Sequence, residues 1–211
     1  MFQSVLRGIS ARIPLGQKYQ DKLQASFDDR WELVRTAFPT TPGSVLDVGS
    51  NLGAFTARVA NEGHICLGIE READLVRKAR ALHSRVKGCG FMEADMDLRF
   101  CEQLPTFDVT LLLSVHHHWH HAFGAAAAAH MLRSIVEKSR TAVVFEGPSR
   151  SSRYESNIPD FADNDEEALL AYYDRYLQET VGDLASDVKR VGKAACVGQR
   201  EPYRWIYAIV R

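Results

Sequence analysis

The stretch Val45-Leu46-Asp47-Val48-Gly49-Ser50-Asn51-Leu52-Gly53-Ala54-Phe55 joins an apolar run to an amphipathic one through two glycines. Glycines at a strand-to-helix turn let a ligand approach the backbone, and the helix start offers free N–H groups. A dinucleotide phosphate site wants G-x-G-x-x-G. Here the spacing is Gly49-x-x-x-Gly53, with Asn51 where the middle glycine would be. Asp47 adds a carboxylate inside the turn. It would repel a pyrophosphate and suit the cationic amino group of an amino-acid-bearing cofactor.

A second constellation follows another apolar run. His116, His117, His118, His120, His121 and His130 are six of the eight histidines, and the first five come directly after Ser114-Val115. Open parallel sheets bind ligands at the carboxyl ends of their strands, so a loop over His116 to His120 would face a cleft. An imidazole with a pKa near 6.5 suits proton removal there. His117 and His118 are the first candidates as catalytic groups and His120 the next; His121 and His130 read as surface or hydrogen-bonded residues. Farther on, Arg150, Arg153 and Tyr154 lie in a hydroxyl-rich loop, a set suited to a carboxylate or phosphate on a substrate.

The elements that must position these residues alternate in type. Buried strands are expected at 44–48, 65–69, 90–94, 107–114 and 141–145, with helices at 52–62, 72–84 and 123–138 between them. After Gly147 a loop leads to an acid-started helix from Asn164 to about Thr180, and an antiparallel hairpin follows, including Tyr203, Trp205, Tyr207 and Ile209. This is an α/β pattern: a doubly wound, mostly parallel sheet with helices on both faces. Leu15, Tyr19, Leu23, Phe27 and Trp31 recur every four residues as one helix face that ends at Phe38-Pro39. The turn cluster Thr40-Thr41-Pro42-Gly43 divides a helical appendage (1–43) from the main domain (44–211).

The 211 residues include 26 Lys plus Arg and 27 Asp plus Glu, for a net charge of −1. That balance argues against a nucleic-acid binder, DNA included, held by bulk positive charge. No apolar run is long enough to span a bilayer. The four cysteines contain no C-x-x-C pair, which points to a reduced, cytoplasmic chain with mostly buried thiols. Met1 to Gly16 has no long apolar core and reads as an amphipathic opening segment; a transit peptide is the alternative. Residues 154–187 hold ten acids against one base, and residues 188–211 hold six bases against one acid. Such runs usually mark solvated faces, here offset by the neighbouring basic hairpin.

Asp47-x-Gly49-x-Asn51-x-Gly53 resembles the D-x-G-x-G-x-G signature of class I S-adenosylmethionine-dependent methyltransferases, with Asn51 in place of a glycine. Asn tolerates positive φ better than most residues. The resemblance covers residues 44–211 and implies a Rossmann-like seven-stranded sheet with one antiparallel strand, and S-adenosylmethionine as cofactor. It implies that Glu70, 23 residues after Asp47, binds the ribose hydroxyls, a carboxylate offering two acceptors to a vicinal diol. It implies an adenine contact at Asp95, with Met96 beside it, and a fourth strand ending at Ser114 next to the transferred methyl. The implied cofactor set is Asp47, Gly49, Ser50, Asn51, Gly53, Glu70, Arg71, Asp95, Met96, Ser114, Val115 and His116.

The resemblance also implies methyl transfer to an oxygen or nitrogen. A small-molecule acceptor, anionic or aromatic, is favoured by the neutral charge. The alternative is an RNA end or ribose: Ser114-Val115 with the Trp and His that follow, and Phe145-Glu146-Gly147-Pro148, resemble RNA 5′-phosphate methyltransferases. Small-RNA 2′-O-methyltransferases use Glu and His metal ligands near this place, but the E-x-x-E-H-x-x-H string is missing, and no metal is expected. From other classes, a nicotinamide-dependent oxidoreductase is disfavoured by Asp47 and Asn51, and an inactive cofactor-binding scaffold stays open.

Overall fold

A computed structural model describes residues 27–41, 43–148, 158–159, 161, 165–195 and 203–211. Helix α1 covers 27–35. The chain continues as β1 (Ser44–Val48), α2 (Ala54–Asn61), β2 (Ile65–Glu70), α3 (Ala73–Leu82), β3 (Cys89–Glu93), α4 (Leu98–Gln103) and β4 (Phe107–Leu113). Then come α5 (His116–Phe123), α6 (Ala125–Glu137), β5 (Ser139–Glu146), α7 (Glu166–Val181), β6 (Asp187–Ala195) and β7 (Tyr203–Val210).

The strands form one seven-stranded sheet in the order β3-β2-β1-β4-β5-β7-β6. Strands β1 to β5 pair in parallel, and β7 runs antiparallel to both β5 and β6. The chain steps outward from β1 to β3, then returns to place β4 on the other side of β1. That reversal opens a crevice at the carboxyl ends of β1 and β4.

Alternating side chains feed two cores. On one face Leu46, Ile69, Leu112, Phe145 and Tyr207 pack with Cys101, Trp119, Met131, Leu132 and Leu177 from α4 to α7. On the other, Val45, Val109, Val144 and Ile206 meet Trp31 and Val34 of α1 and Val59 of α2. Burial of this kind contributes about 25 cal/mol per Å² of apolar surface removed from water. The described part of the N-terminal segment is therefore built into the second core, with Trp31 and Val34 almost wholly buried.

Two expectations need correction. The His116 to His120 segment is helical, not a loop: His116, Trp119 and His120 share one turn-to-turn face and are all buried, so the segment packs as an amphipathic helix. The short helix α4, unmarked by periodicity, starts on Asp97, whose Oδ1 accepts the Phe100 N–H at 2.7 Å. The acidic and basic runs meet each other. Asp174 of α7 pairs with Arg190 of β6 (Nε to Oδ1, 3.1 Å), and Glu166 accepts from Lys193 (3.1 Å) and from the Trp205 indole (2.8 Å).

Candidate active site

The turn after β1 is built from left-handed backbone. Gly49, Asn51 and Gly53 have φ of 69°, 51° and 77°. Asn51 is the non-glycine side chain that best tolerates this region. The two glycines are also crowded: a Cβ on Gly49 would meet Val115 Cγ2 at 2.5 Å, and one on Gly53 would meet the Phe91 ring at 2.3 Å. Val115 and the Gly49 turn are therefore in contact. Ser50 N–H donates to the Ile69 carbonyl (2.9 Å), and Gly53 N–H donates to the Ser50 carbonyl (2.8 Å). The Ser50 hydroxyl is buried and has no hydrogen-bond partner among the described residues.

His83, beyond the C-terminus of α3, braces the turn from below. Its Nε2 donates to the Leu52 carbonyl at 2.9 Å, since a carbonyl can only accept, and its ring stacks on Phe91. Burial pushes the His83 imidazole below its ordinary pKa, against that hydrogen bond. In sequence His83 reads only as an inner-face helix residue.

Two carboxylates flank the turn. Asp47 is buried, and its Oδ2 accepts the Thr56 hydroxyl at 2.6 Å. Burial pushes its carboxyl up to about 6, although Thr56 and the Arg30 cation pull the other way. Glu70, at the end of β2, accepts the Asn51 N–H on Oε2 (3.0 Å) and the Glu72 N–H on Oε1 (3.1 Å). Each oxygen keeps a second acceptor position for a ligand hydroxyl. Asp47 and Glu70 thus sit on the same edge of the sheet, either side of one turn. Arg71 is exposed and pairs with Glu72. Asp95 is exposed beyond β3, and Met96 is buried in the adjoining core.

The ends of β4 and β5 carry a charged network that no sequence spacing announces. Ser114 has φ of 62°, a rare value for serine. Its hydroxyl donates to Glu146 and accepts from Arg204 and from Arg30. Arg30 of α1 grips Glu146 at two points, Nε to Oε2 at 2.6 Å and Nη2 to Oε1 at 2.9 Å. Arg204 of β7 lies 3.4 Å from the same Oε1. Burial pushes the Glu146 carboxyl up, but the two guanidiniums and Ser114 outweigh it and hold it below the usual range. Each cation does carry a local mark: Arg30 shares an inward helix face with Phe27, Trp31 and Val34, and Arg204 sits in an otherwise apolar strand.

The histidines divide. His116 and His120 face the core, where their rings lie 4.7 Å apart between Phe145, Trp119 and Tyr176. His116 Nε2 and the Tyr176 hydroxyl share a hydrogen bond of 2.8 Å. Burial, with His120 nearby, holds the His116 pKa well below the ordinary value. Both side chains pack among Phe145, Trp119 and Tyr176, whereas the sequence reading has His116 as a cofactor contact and His120 as a catalytic group. His117 is buried with its ring 4.2 Å from that of His118. His118 is exposed. Desolvation lowers its pKa, and the Arg71, Arg204 and His121 charges lower it further, against the opposing pull of Glu70. His118 therefore lies within electrostatic reach of the residues at the ends of β2 and β7, and is neutral near pH 7.

Arg150, Arg153 and Tyr154 lie outside the described residues. Among those residues no group of three or more His, Cys, Asp or Glu side chains is arranged to hold a metal. No helix among them is long and apolar enough to cross a membrane.

Residues 46–136 match the Methyltransferase domain family (Methyltransf_11). No curated protein matches the chain in sequence. In fold it is similar to magnesium protoporphyrin IX methyltransferase (ChlM) from Synechocystis PCC 6803 with bound SAM, at a TM-score of 0.63 and 15% identity over 99% of this chain and 90% of that one. It is also similar to WbdD (TM-score 0.60, 19% identity, 92% of this chain) and to EvdMO1 (0.55, 16%, 87%). The chain spans 40% of the length of the WbdD chain and 40% of the EvdMO1 chain. At these identities the likeness is one of fold.

Proposed function

We propose that the chain is a class I S-adenosylmethionine-dependent methyltransferase that methylates an oxygen or nitrogen atom of a small-molecule acceptor, a reading supported by the methyltransferase-domain match over residues 46–136 and by the methyltransferase-like fold. When bound, S-adenosylmethionine supplies an activated methyl group on a sulfonium that is also its leaving group. The observation that carries the reading is the placement of Glu70 and Asp47 on either side of the Gly49–Gly53 turn, with Glu70 within electrostatic reach of His118.

The residues present fit the cofactor. Glu70 has acceptor positions left for a ribose diol, and its tie to Asn51 fixes that carboxylate before any ligand arrives. Asp47 becomes a strong partner for a cationic amino group, because such a group restores the charge that burial disfavours. The orphaned Ser50 hydroxyl offers a further polar contact. Asp95 and Met96, which follow β3, are the residues we assign to the base.

For the chemistry, His118 takes the acceptor proton. Its imidazole is neutral at pH 7 and exposed, as a general base requires. The 26 bases and 27 acids, and the pairing of the basic β6 with the acidic α7, leave little bulk positive charge for an RNA partner and support a small acceptor. The free thiols of Cys66, Cys89 and Cys101 support a reducing, cytoplasmic setting.

The test is mass spectrometry of nucleoside co-purified with the protein, followed by labelled methyl transfer to metabolite pools and to RNA at graded salt. Label in small molecules supports the reading. Label in RNA, with binding that weakens steeply as salt rises, replaces it with the RNA alternative.

A further inference from the structure

Arg30 reaches from α1 across to the sheet edge, and its surroundings fix where it lies. Its plane sits 5.0 Å over the Phe55 ring, in the first turn of α2 just after Gly53. Its Nε and Nη2 hold Glu146 at the end of β5, and Nη2 is 3.4 Å from the Ser114 hydroxyl at the end of β4. It therefore stands between the cofactor turn and the two strand ends that border the crevice.

Glu146 is 1% exposed, but the Arg30 side chain is 25% exposed, so the cation bridges from a buried partner to the open side. Its Nη1 makes no hydrogen bond among the described residues. Arg204 places a second guanidinium on the same carboxylate. Arg30 and Arg204 share the Glu146 carboxylate, and Asp47 also lies within electrostatic reach of Arg30; a planar guanidinium already fixed by one ion pair loses little freedom on meeting another oxyanion.

Resting on the methyltransferase reading above, we propose that Arg30 is the contact for an oxyanion, carboxylate or phosphate, carried by the methyl acceptor. Nη1 donates to that oxyanion, and Glu146 holds the guanidinium in place. Arg30 thus sets specificity for acid-bearing acceptors, and His118 serves the atom that is methylated.

The experiment uses the full chain, 15N-labelled and loaded with S-adenosylhomocysteine. Inorganic phosphate and acetate are titrated separately at fixed ionic strength, and the amide shifts of Phe55 and Ser114 are followed. Saturable shifts in the wild type are expected, and the tighter anion names the class. Arg30→Gln should weaken that anion by about tenfold or more, and Arg30→Lys by less, each variant being first saturated with S-adenosylhomocysteine at about pH 8, where Asp47 stays ionised. A merely structural Arg30 would leave anion affinity unchanged, and that result, or shifts that never saturate, overturns the proposal. Should Arg30→Gln not fold, Arg30→Lys decides alone: a loss of about threefold or more supports the contact and none removes it. If the wild type binds no S-adenosylhomocysteine, the methyltransferase reading fails, while the same titration on cofactor-free protein still decides the anion contact.

Discussion

The Glu70 carboxylate accepts the Asn51 N–H at 3.0 Å, so the end of β2 is fastened to the left-handed residue at the middle of the turn after β1. One side chain shapes the loop and, in the function proposed, also receives the ribose. Its removal should act on binding far more than on folding.

Glu70→Ala should weaken S-adenosylmethionine by about 100-fold or more, two hydrogen bonds to a charged group being worth about 3 kcal/mol or above. Glu70→Gln keeps one carbonyl acceptor and should fall between. Calorimetry reads the affinity, and thermal unfolding checks that the fold survives. Tight binding by Glu70→Ala would remove the site assignment.

Asp47→Asn should stabilise the cofactor-free protein while weakening the cofactor. The sign follows from burial. The folded pKa is raised from 3.8 to about 6, so the folded state binds the proton more tightly than the unfolded chain. Ionising Asp47 therefore destabilises the fold fully above about pH 6, progressively less down to 3.8, and not below. The rise corresponds to at most about 3 kcal/mol at pH 7. The amide oxygen of the variant side chain can still accept the Thr56 hydroxyl. Urea titrations at pH 7.5 and pH 4 should show the variant's gain only at the higher pH.

Two pH dependences should separate. With the His118 pKa below 6.5, kcat should stay level through neutral pH and fall only in the more acidic range, as the base takes up a proton. The kcat/KM for the cofactor should fall through pH about 6 in the free enzyme, as Asp47 protonates. His118→Ala should lower kcat by about 10²- to 10⁴-fold and abolish the acidic limb of kcat. A variant with full kcat would assign methyl transfer to positioning alone.

His116 should govern acid stability. Its ring is 1% exposed and its pKa is depressed, so the unfolded chain protonates first. Stability is complete above about pH 6.5 and is lost as pH falls below it. His116→Phe keeps the ring contacts with Phe145 and Trp119 and should flatten that acid limb, at the cost of the Tyr176 hydrogen bond. Denaturation midpoints at pH 7.5 and pH 5 measure the difference; parallel losses in both proteins would contradict it.

Much of this fold is legible in the sequence because its signals are local. The run from Val45 to Phe55 carries its own strand, turn and helix start, and the acid at Glu70 ends the next apolar run, so chain order and the roles proposed for the turn can be read directly. The histidine segment misleads because a run of one residue type hides its period; only burial shows that positions 116, 119 and 120 share a face. Arg30 and Arg204 escape notice for a different reason. A charged side chain is read as solvent-facing unless its partner is visible, and Glu146 is 116 residues from Arg30 and 58 from Arg204. No local window spans that distance, although an arginine at an inward helix position is itself a mark of a buried pair.

The ion cluster at Glu146 joins the first described helix, the middle of the chain and the last strand, and it consists of contacts with high sequence separation. Such contacts form late, after the loop-closure entropy of the intervening chain has been met. The crevice should therefore become competent only in the final stage of folding. A growing chain would not display a finished site until β7 had taken its place, and fraying at either end would silence the chemistry before the central sheet came apart.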